Sequence, residues 1–191
     1  MAMTNVFTGK NGTITLAVGP SSPEADDGKA IVDSYAPGET APVIGRATGV
    51  QVAVHTDLEE FHEIGHRHPI VLHPGNIHIS GSLDRAFLSG GLLMLLLGRR
   101  ALHDAQPLIY VQPSFSLIFS LSDPAVLGNS AKLVLDGVKF QNWGFKIPED
   151  DFVMENVTFR ALAIHVVDTE APAGGGTGTV HDPKFPAPPA Q

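Results

Sequence analysis

Apolar residues alternate with small or polar ones in several runs, and each alternation predicts a strand with one buried face. Thr13-Ile14-Thr15-Leu16-Ala17-Val18 is the first such run, and Val50, Val52 and Val54 mark a second that fades at HTDLEEFHEIG. Ile77 and Ile79 begin a third. Beyond Pro107, the residues Phe115, Leu117, Phe119 and Leu121 alternate, and SDPAVLGNS then supplies turn residues. Leu133 and Leu135 lead to Asp136-Gly137, which signals a hairpin when strands flank it. Val138, Phe140, Trp143, Phe145 and Ile147 extend the pattern with a phase shift near Gln141-Asn142. Val157, Phe159, Ala161, Ala163 and His165 give one more long alternation.

One helix stands out between these runs. Ser82 is placed to cap it, Asp84 falls in its first turn, Gly98 is placed to stop it, and Arg99 and Arg100 lie at its negative end. Its apolar residues, from Phe87 and Leu88 to Leu92 through Leu97, cover nearly the whole circumference of its second half, so it needs cover on more than one side. The expected class is mainly β: an antiparallel sheet of about six strands with one main helix. Residues 19–49 read as a long loop rich in Gly, Pro and acids inserted in a domain spanning 1–168, and 169–191 read as an extended Gly/Pro-rich tail.

Composition narrows the function classes. The chain has 191 residues, enough for one ordinary domain, and 20 acidic against 12 basic residues, a formal charge of −8 that argues against a surface gripping phosphate backbones. With no cysteine, disulfides and thiolate metal sites are excluded. The start MAMTNVFTGKNG lacks the pattern of a signal peptide, and LLMLLLG at 92–98 is far shorter than the roughly 20 residues of a membrane span, so a soluble chain without membrane insertion is expected.

The segment HEIGH at 62–66 matches H-E-x-x-H, in which His62 and His66 would hold zinc while Glu63 activates water. That chemistry needs an unbroken helix through both histidines. Gly65 lies between them, Pro69 follows three residues later, and no third ligand stands at a recognised spacing. The segment is therefore expected to be a polar surface turn, with metal binding by His62, His66 and His68, or zinc hydrolysis, as the competing reading. Glu149-Asp150-Asp151 lacks the alternation and glycine of a calcium loop, and the glycines at 174–178 lack the ending of a phosphate loop. No enzyme activity and no cofactor is expected.

Three features remain: a helix apolar on too many sides, a long acidic loop and an extended tail. A subunit of an assembly accounts for all three. Two segments carry a resemblance that points the same way: GNIHISGSLDRAFLSGGLLMLLLG at 75–98, and KLVLDGVKFQNWGFKIPEDDFVMENVTFRALAI at 132–164. They resemble the major tail tube proteins of long-tailed bacteriophages and the related tube proteins of injection machines. The resemblance implies an antiparallel β-sandwich or half-barrel with a flanking helix, oligomerising into a ring-shaped β-barrel. It further implies hexameric rings stacked into a hollow tail tube that conducts DNA during ejection, with sheath, baseplate or terminator proteins as partners and DNA passing transiently. The location implied is the virion tail, assembled in the host cytoplasm; a single-ring baseplate or tail-end protein is the nearest alternative. The candidate assembly interface is Phe87, Leu92, Leu93 and Leu96 of the helical segment with Trp143, Pro148 and Phe152 of the late hairpin. Residues 19–49 and 169–191 would reach the next ring, and the net acidity predicts carboxylates lining the channel.

Overall fold

The computed structural model describes residues 7–18, 22–36, 44–45, 47–87, 89–103, 112–122, 128–170 and 179–181. Within them lie eight strands: β1 (Gly12–Ala17), β2 (Ala47–Phe61), β3 (Val71–Ala86), β4 (Phe115–Ser122), β5 (Ser130–Lys146), β6 (Met154–Ala161), β7 (Ala163–Glu170) and β8 (Thr179–His181). Two helices accompany them, α1 (Pro23–Tyr35) and α2 (Gly91–His103). All strand pairs are antiparallel, in the order β1-β4-β5-β6-β3-β2, with β7 paired to β5 and to β8.

The long strand β5 joins the two halves of this curled half-barrel. Over Ser130–Asp136 it pairs with β7, and over Lys139–Lys146 with β6, so β6 and β7 continue one another past Leu162. One half is β1-β4-β5-β7-β8; the other is β5-β6-β3-β2. The core fills the space between them. Leu16, Leu117 and Leu135 come from the first half, and Leu83, Val157 and Phe159 from the second. Ile31 and Val32 of α1 and Leu92 and Leu95 of α2 close the side. The Phe115 and Phe140 rings pack at 60° to each other, 4.8 Å between centroids. Each such fully buried side chain contributes about 1.5–3 kcal/mol over leaving it in water.

The mainly β half-barrel is as expected, but four local expectations are corrected. The helix does not begin at Ser82. Ser82 and Asp84 lie in β3, which is paired on both sides there, to Gln51 and Thr158 and to Gly49 and Asn156. Two ladders of backbone hydrogen bonds outweigh one favourable cap residue, and the helix starts only at Gly91. Gly98 does interrupt it, with φ 77° and ψ 157°.

The second correction is α1, inside the expected loop 19–49. Ser22 accepts a hydrogen bond from the Ala25 amide at 3.1 Å, Pro23 occupies the first turn, and Glu24 and Asp26 stand at the positive helix end. Its buried face is Ala25, Gly28, Ile31 and Val32. The two small residues gave little apolar signal. They are required for close approach: a Cβ on Gly28 would stand 3.1 Å from the Ser114 carbonyl oxygen. Residues 19–21 and 37–43 of the expected loop lie outside the described residues.

Third, the chain does not turn at Asp136-Gly137. β5 runs straight through, and Gly137 takes φ 63° as an irregularity facing Leu162, whose amide donates to the Asp136 carbonyl at 3.0 Å. A one-residue shift between Phe140 and Asn142 is the phase break read near Gln141-Asn142. Fourth, the extended tail does not start at 169: β7 continues to Glu170, and Thr179–His181 pair with it. The rest of that tail lies outside the described residues.

Candidate assembly surfaces

The second half of the sheet does not end where its core ends. The last pair between β3 and β6 is Ile79 with Ala161, yet β2 and β3 go on together to Phe61 and Val71. Eight residues of β3 therefore project as a two-stranded arm, about 25 Å long at ~3.3 Å per residue. Apolar side chains on it are open to water: Leu58 is 60% exposed, Leu72 53% and Ile77 66%. Among the described residues, no third strand pairs with the arm and β2 is a free edge 15 residues long.

HEIGH lies at the tip of this arm. Residues 62–66 form a turn, not a helix; Gly65 has φ 93°, and the His66 amide donates to the Glu63 carbonyl at 3.1 Å. The zinc reading needs both histidines on one face of a helix, which this turn does not provide. The Nε2 of His62 instead contacts Glu60 at 3.2 Å. His66 and His68 are exposed at the same tip. Among the described residues no three His, Asp or Glu side chains come together as a metal-binding group. At the base of the arm, the cross-strand partners His55 and His78 each approach one oxygen of Asp57, both at 3.4 Å.

The opposite end of the same half is aromatic. Phe87, just past β3, lies 5.6 Å from Phe145 by ring centroid, and Phe145 lies 5.1 Å from Trp143. The turn between β5 and β6 follows, with Ile147 70% and Phe152 78% exposed and Pro148 half-buried between them in sequence. Asp151 accepts the Phe152 amide at 2.7 Å and so fixes this turn. Beneath the aromatics is a buried polar cluster. Arg85 of β3 and Glu155 of β6, opposite each other in register, form an ion pair with almost no exposure, and the Trp143 indole N–H donates to the second Glu155 oxygen at 2.8 Å.

The candidate interface thus divides. Phe87, Trp143, Pro148 and Phe152 come together at this end. Leu92 is 3% exposed and belongs to the subunit core, so it is withdrawn from the candidate surface; Leu93 and Leu96 are half-buried on α2, which packs against α1 and β5. The helix that looked apolar on too many sides is covered largely by its own chain. Sequence reading missed Phe145, Ile147 and the arm residues, although Ile64 between Glu63 and Gly65, with a histidine on either side, was a visible signal of an exposed apolar tip.

Two further surfaces complete the picture. The face of β5-β6-β3-β2 turned away from the core is polar, in cross-strand rows such as Asn142-Thr158-Ser82-Gln51. Asn142 donates to Thr158 at 3.1 Å and Asn156 to Asp84 at 2.5 Å. Between the two halves of the sheet lies an apolar mouth of about 510 Å³, lined by Ile14, Phe119, Leu133, Val50 and Val52 among others. No helix among the described residues is long and apolar enough to cross a membrane.

No protein-family model matches the chain, and no curated protein matches it. Solved structures do. A chain of the PVC sheath-tube complex, an extracellular contractile injection system in its extended state, is 9% identical with a TM-score of 0.55, covering 85% of this chain and 92% of that one. A chain of the PVC sheath/tube terminator in the extended state is 10% identical with a TM-score of 0.56, covering 86% and 99%. A chain of the anti-feeding prophage tube-terminating cap is 12% identical with a TM-score of 0.54, covering 87% and 93%. The chain therefore shares its fold with chains of injection-machine tube assemblies.

Proposed function

We propose that the chain is a structural subunit of a tail-type tube, in a phage tail or an injection machine, built from rings of itself. The observation that carries this reading is the arm. An isolated two-stranded hairpin with open apolar side chains is marginal in water and is retained where a partner covers it. The long free edge of β2 supports the same conclusion, because closing a sheet across subunits removes exposed edges. The shared fold with chains of tube assemblies agrees with it.

In such a ring the polar face of β5-β6-β3-β2 lines the channel. Its amide and hydroxyl rows neither grip nor strongly repel phosphate, which suits passage of DNA or of another polymer. Asp84 is its acid over the rows shared by β2, β3, β5 and β6, while Arg160 and Lys146 are its cations and Lys139 is paired to Glu24 at 2.9 Å. Of the carboxylates expected to line the channel, these rows carry Asp84; the other acids among the described residues stand on α1, in the turns, on the arm at Asp57, Glu59 and Glu60, in the buried pair at Glu155, and on β5 and β7 at Asp136, Asp168 and Glu170. Six subunits per ring, sheath, baseplate and terminator partners, and a place in the virion tail belong to this reading.

The experiment is electron microscopy of the purified protein across a concentration series. Hollow rings or stacked tubes are the expected result; monomers at every concentration would overturn the proposal. The comparable likeness to chains of a terminator and of a cap favours one second reading, a single-ring tail-end protein. Rings that never stack, even at the highest concentration, would select it.

A further inference from the structure

The polar face of β5-β6-β3-β2 changes character where the arm leaves the sheet. Gln51 with Ser82, Ala53 with Ser80 and His55 with His78 are pairs in one unbroken register, so the two histidines continue that face past the end of β6. Asp57 lies between them. The His55 Nε2 stands 3.4 Å from one of its carboxylate oxygens and the His78 Nε2 stands 3.4 Å from the other. The register slips just beyond, between Thr56 and Leu58, and Gly75 leaves the room that Asp57 takes: a Cβ there would stand 3.0 Å from the Asp57 Cβ. Both histidines are open to water.

Between about pH 8 and pH 5 an imidazole passes from neutral to cationic. With both rings neutral, the cluster carries the single negative charge of Asp57; with both protonated, it carries a net positive one. Its surroundings do not cancel this change. Among the described residues the arm is paired only with itself. The next charged groups along the face are Arg160, opposite Ser80 at the base, and Glu59, opposite His73 toward the tip. Residues 55–78 together hold four acids, one arginine and six of the chain's nine histidines, so the arm as a whole runs from a formal −3 to +3 in the same direction.

We infer that this cluster is a proton-operated gate for polyanions at the end of the channel wall: it repels phosphate when Asp57 alone is charged, and binds it once His55 and His78 are both protonated. The inference rests on the polar face being the channel lining and names what regulates that lining. Every copy in a ring contributes the same reversal, so the rim turns from anionic to cationic, and counterion release then favours binding at low salt. Phosphate is held below the histidine range and released above it.

The test is fluorescence anisotropy of a short labelled single-stranded DNA with the purified protein at low salt, at about pH 8 and at about pH 5.5, above the range in which ordinary carboxylates take protons. Binding is expected to be at least about tenfold tighter at the lower pH and to weaken steeply with added salt. His55→Gln with His78→Gln should remove most of that difference, while His66→Gln with His68→Gln at the tip should keep it. Asp57→Asn should tighten binding at both pH values; weaker binding would mean that Asp57 only holds the arm's shape. Equal affinity at the two pH values in the unchanged protein, absent binding included, would overturn the inference, as would a full difference retained without His55 and His78. The same samples are viewed by electron microscopy. Rings or tubes with no pH effect would sink the gate and leave the tube reading intact; a pH effect that depends on His55 and His78 without rings or tubes would uphold the cluster's chemistry and sink the tube reading.

Discussion

Ile77 and Ile79 are the same residue, two positions apart on one strand and on the same face, yet Ile77 is 66% exposed and Ile79 is 7% exposed. Between them runs the boundary where β6 stops pairing with β3. From Ile79 to Ala86 the strand is held on both sides and covers the core; from Val71 to His78 it has β2 alone. Hydrophobicity is the same in the two halves, so burial was decided by the length of a neighbour far away in sequence. The half with two neighbours stabilises the folded chain, and the half with one keeps its apolar side chains open, the feature on which the proposed assembly rests.

The comparison breaks most sharply at Glu155. Replacing Glu155 by Ala leaves Arg85 buried without its anion and the Trp143 indole without its acceptor, and should cost about 3–5 kcal/mol in urea unfolding of the unassembled subunit. The paired change Arg85→Met with Glu155→Leu should recover most of that; failure to do so would mean the pair has a role beyond charge balance. Ile79→Ala, in the doubly paired half, is expected to lose about 2–5 kcal/mol in the same assay. At the tip, Gly65→Ala forces a side chain onto a φ of 93°, and about 1–2 kcal/mol of arm stability should go with it, read as faster amide exchange confined to 60–71. Ile77→Ala should change subunit stability by no more than about 0.5 kcal/mol. A loss at Ile77 equal to that at Ile79 would mean the arm is packed in the free subunit, and the contrast would collapse.

Much of the strand pattern was legible because a strand's side chains alternate with a period of two whatever surrounds them. Phe115, Leu117 and Leu135 face the core as their alternation indicates, and the break near Gln141 left a phase shift that can be counted. The first helix was less visible. Its cap, proline and acids are all present from Ser22 to Asp26, but its buried face begins with Ala25 and Gly28, whose value lies in close approach and not in apolar size. The surface turn at HEIGH was legible from Gly65 and Pro69; that it sits at the end of a projecting arm was not.

What the sequence determined by itself is therefore local: strands with one apolar face, a helix somewhere before Gly98, a turn at 62–66, and no cysteine chemistry. What only the tertiary structure decided is which partner each stretch has. Ser82 and Asp84 are good helix-starting residues, but a strand on each side claims their backbone groups. Asp136-Gly137 is a good hairpin turn, but β4 and β7 hold the chain straight on either side of Asp136. Pairing is set by residues distant in sequence, 82 positions away for Ile79 and Ala161 and 27 for Asp136 and Ala163, and its reach along each strand decides whether an isoleucine lies in a core or stays open on an arm.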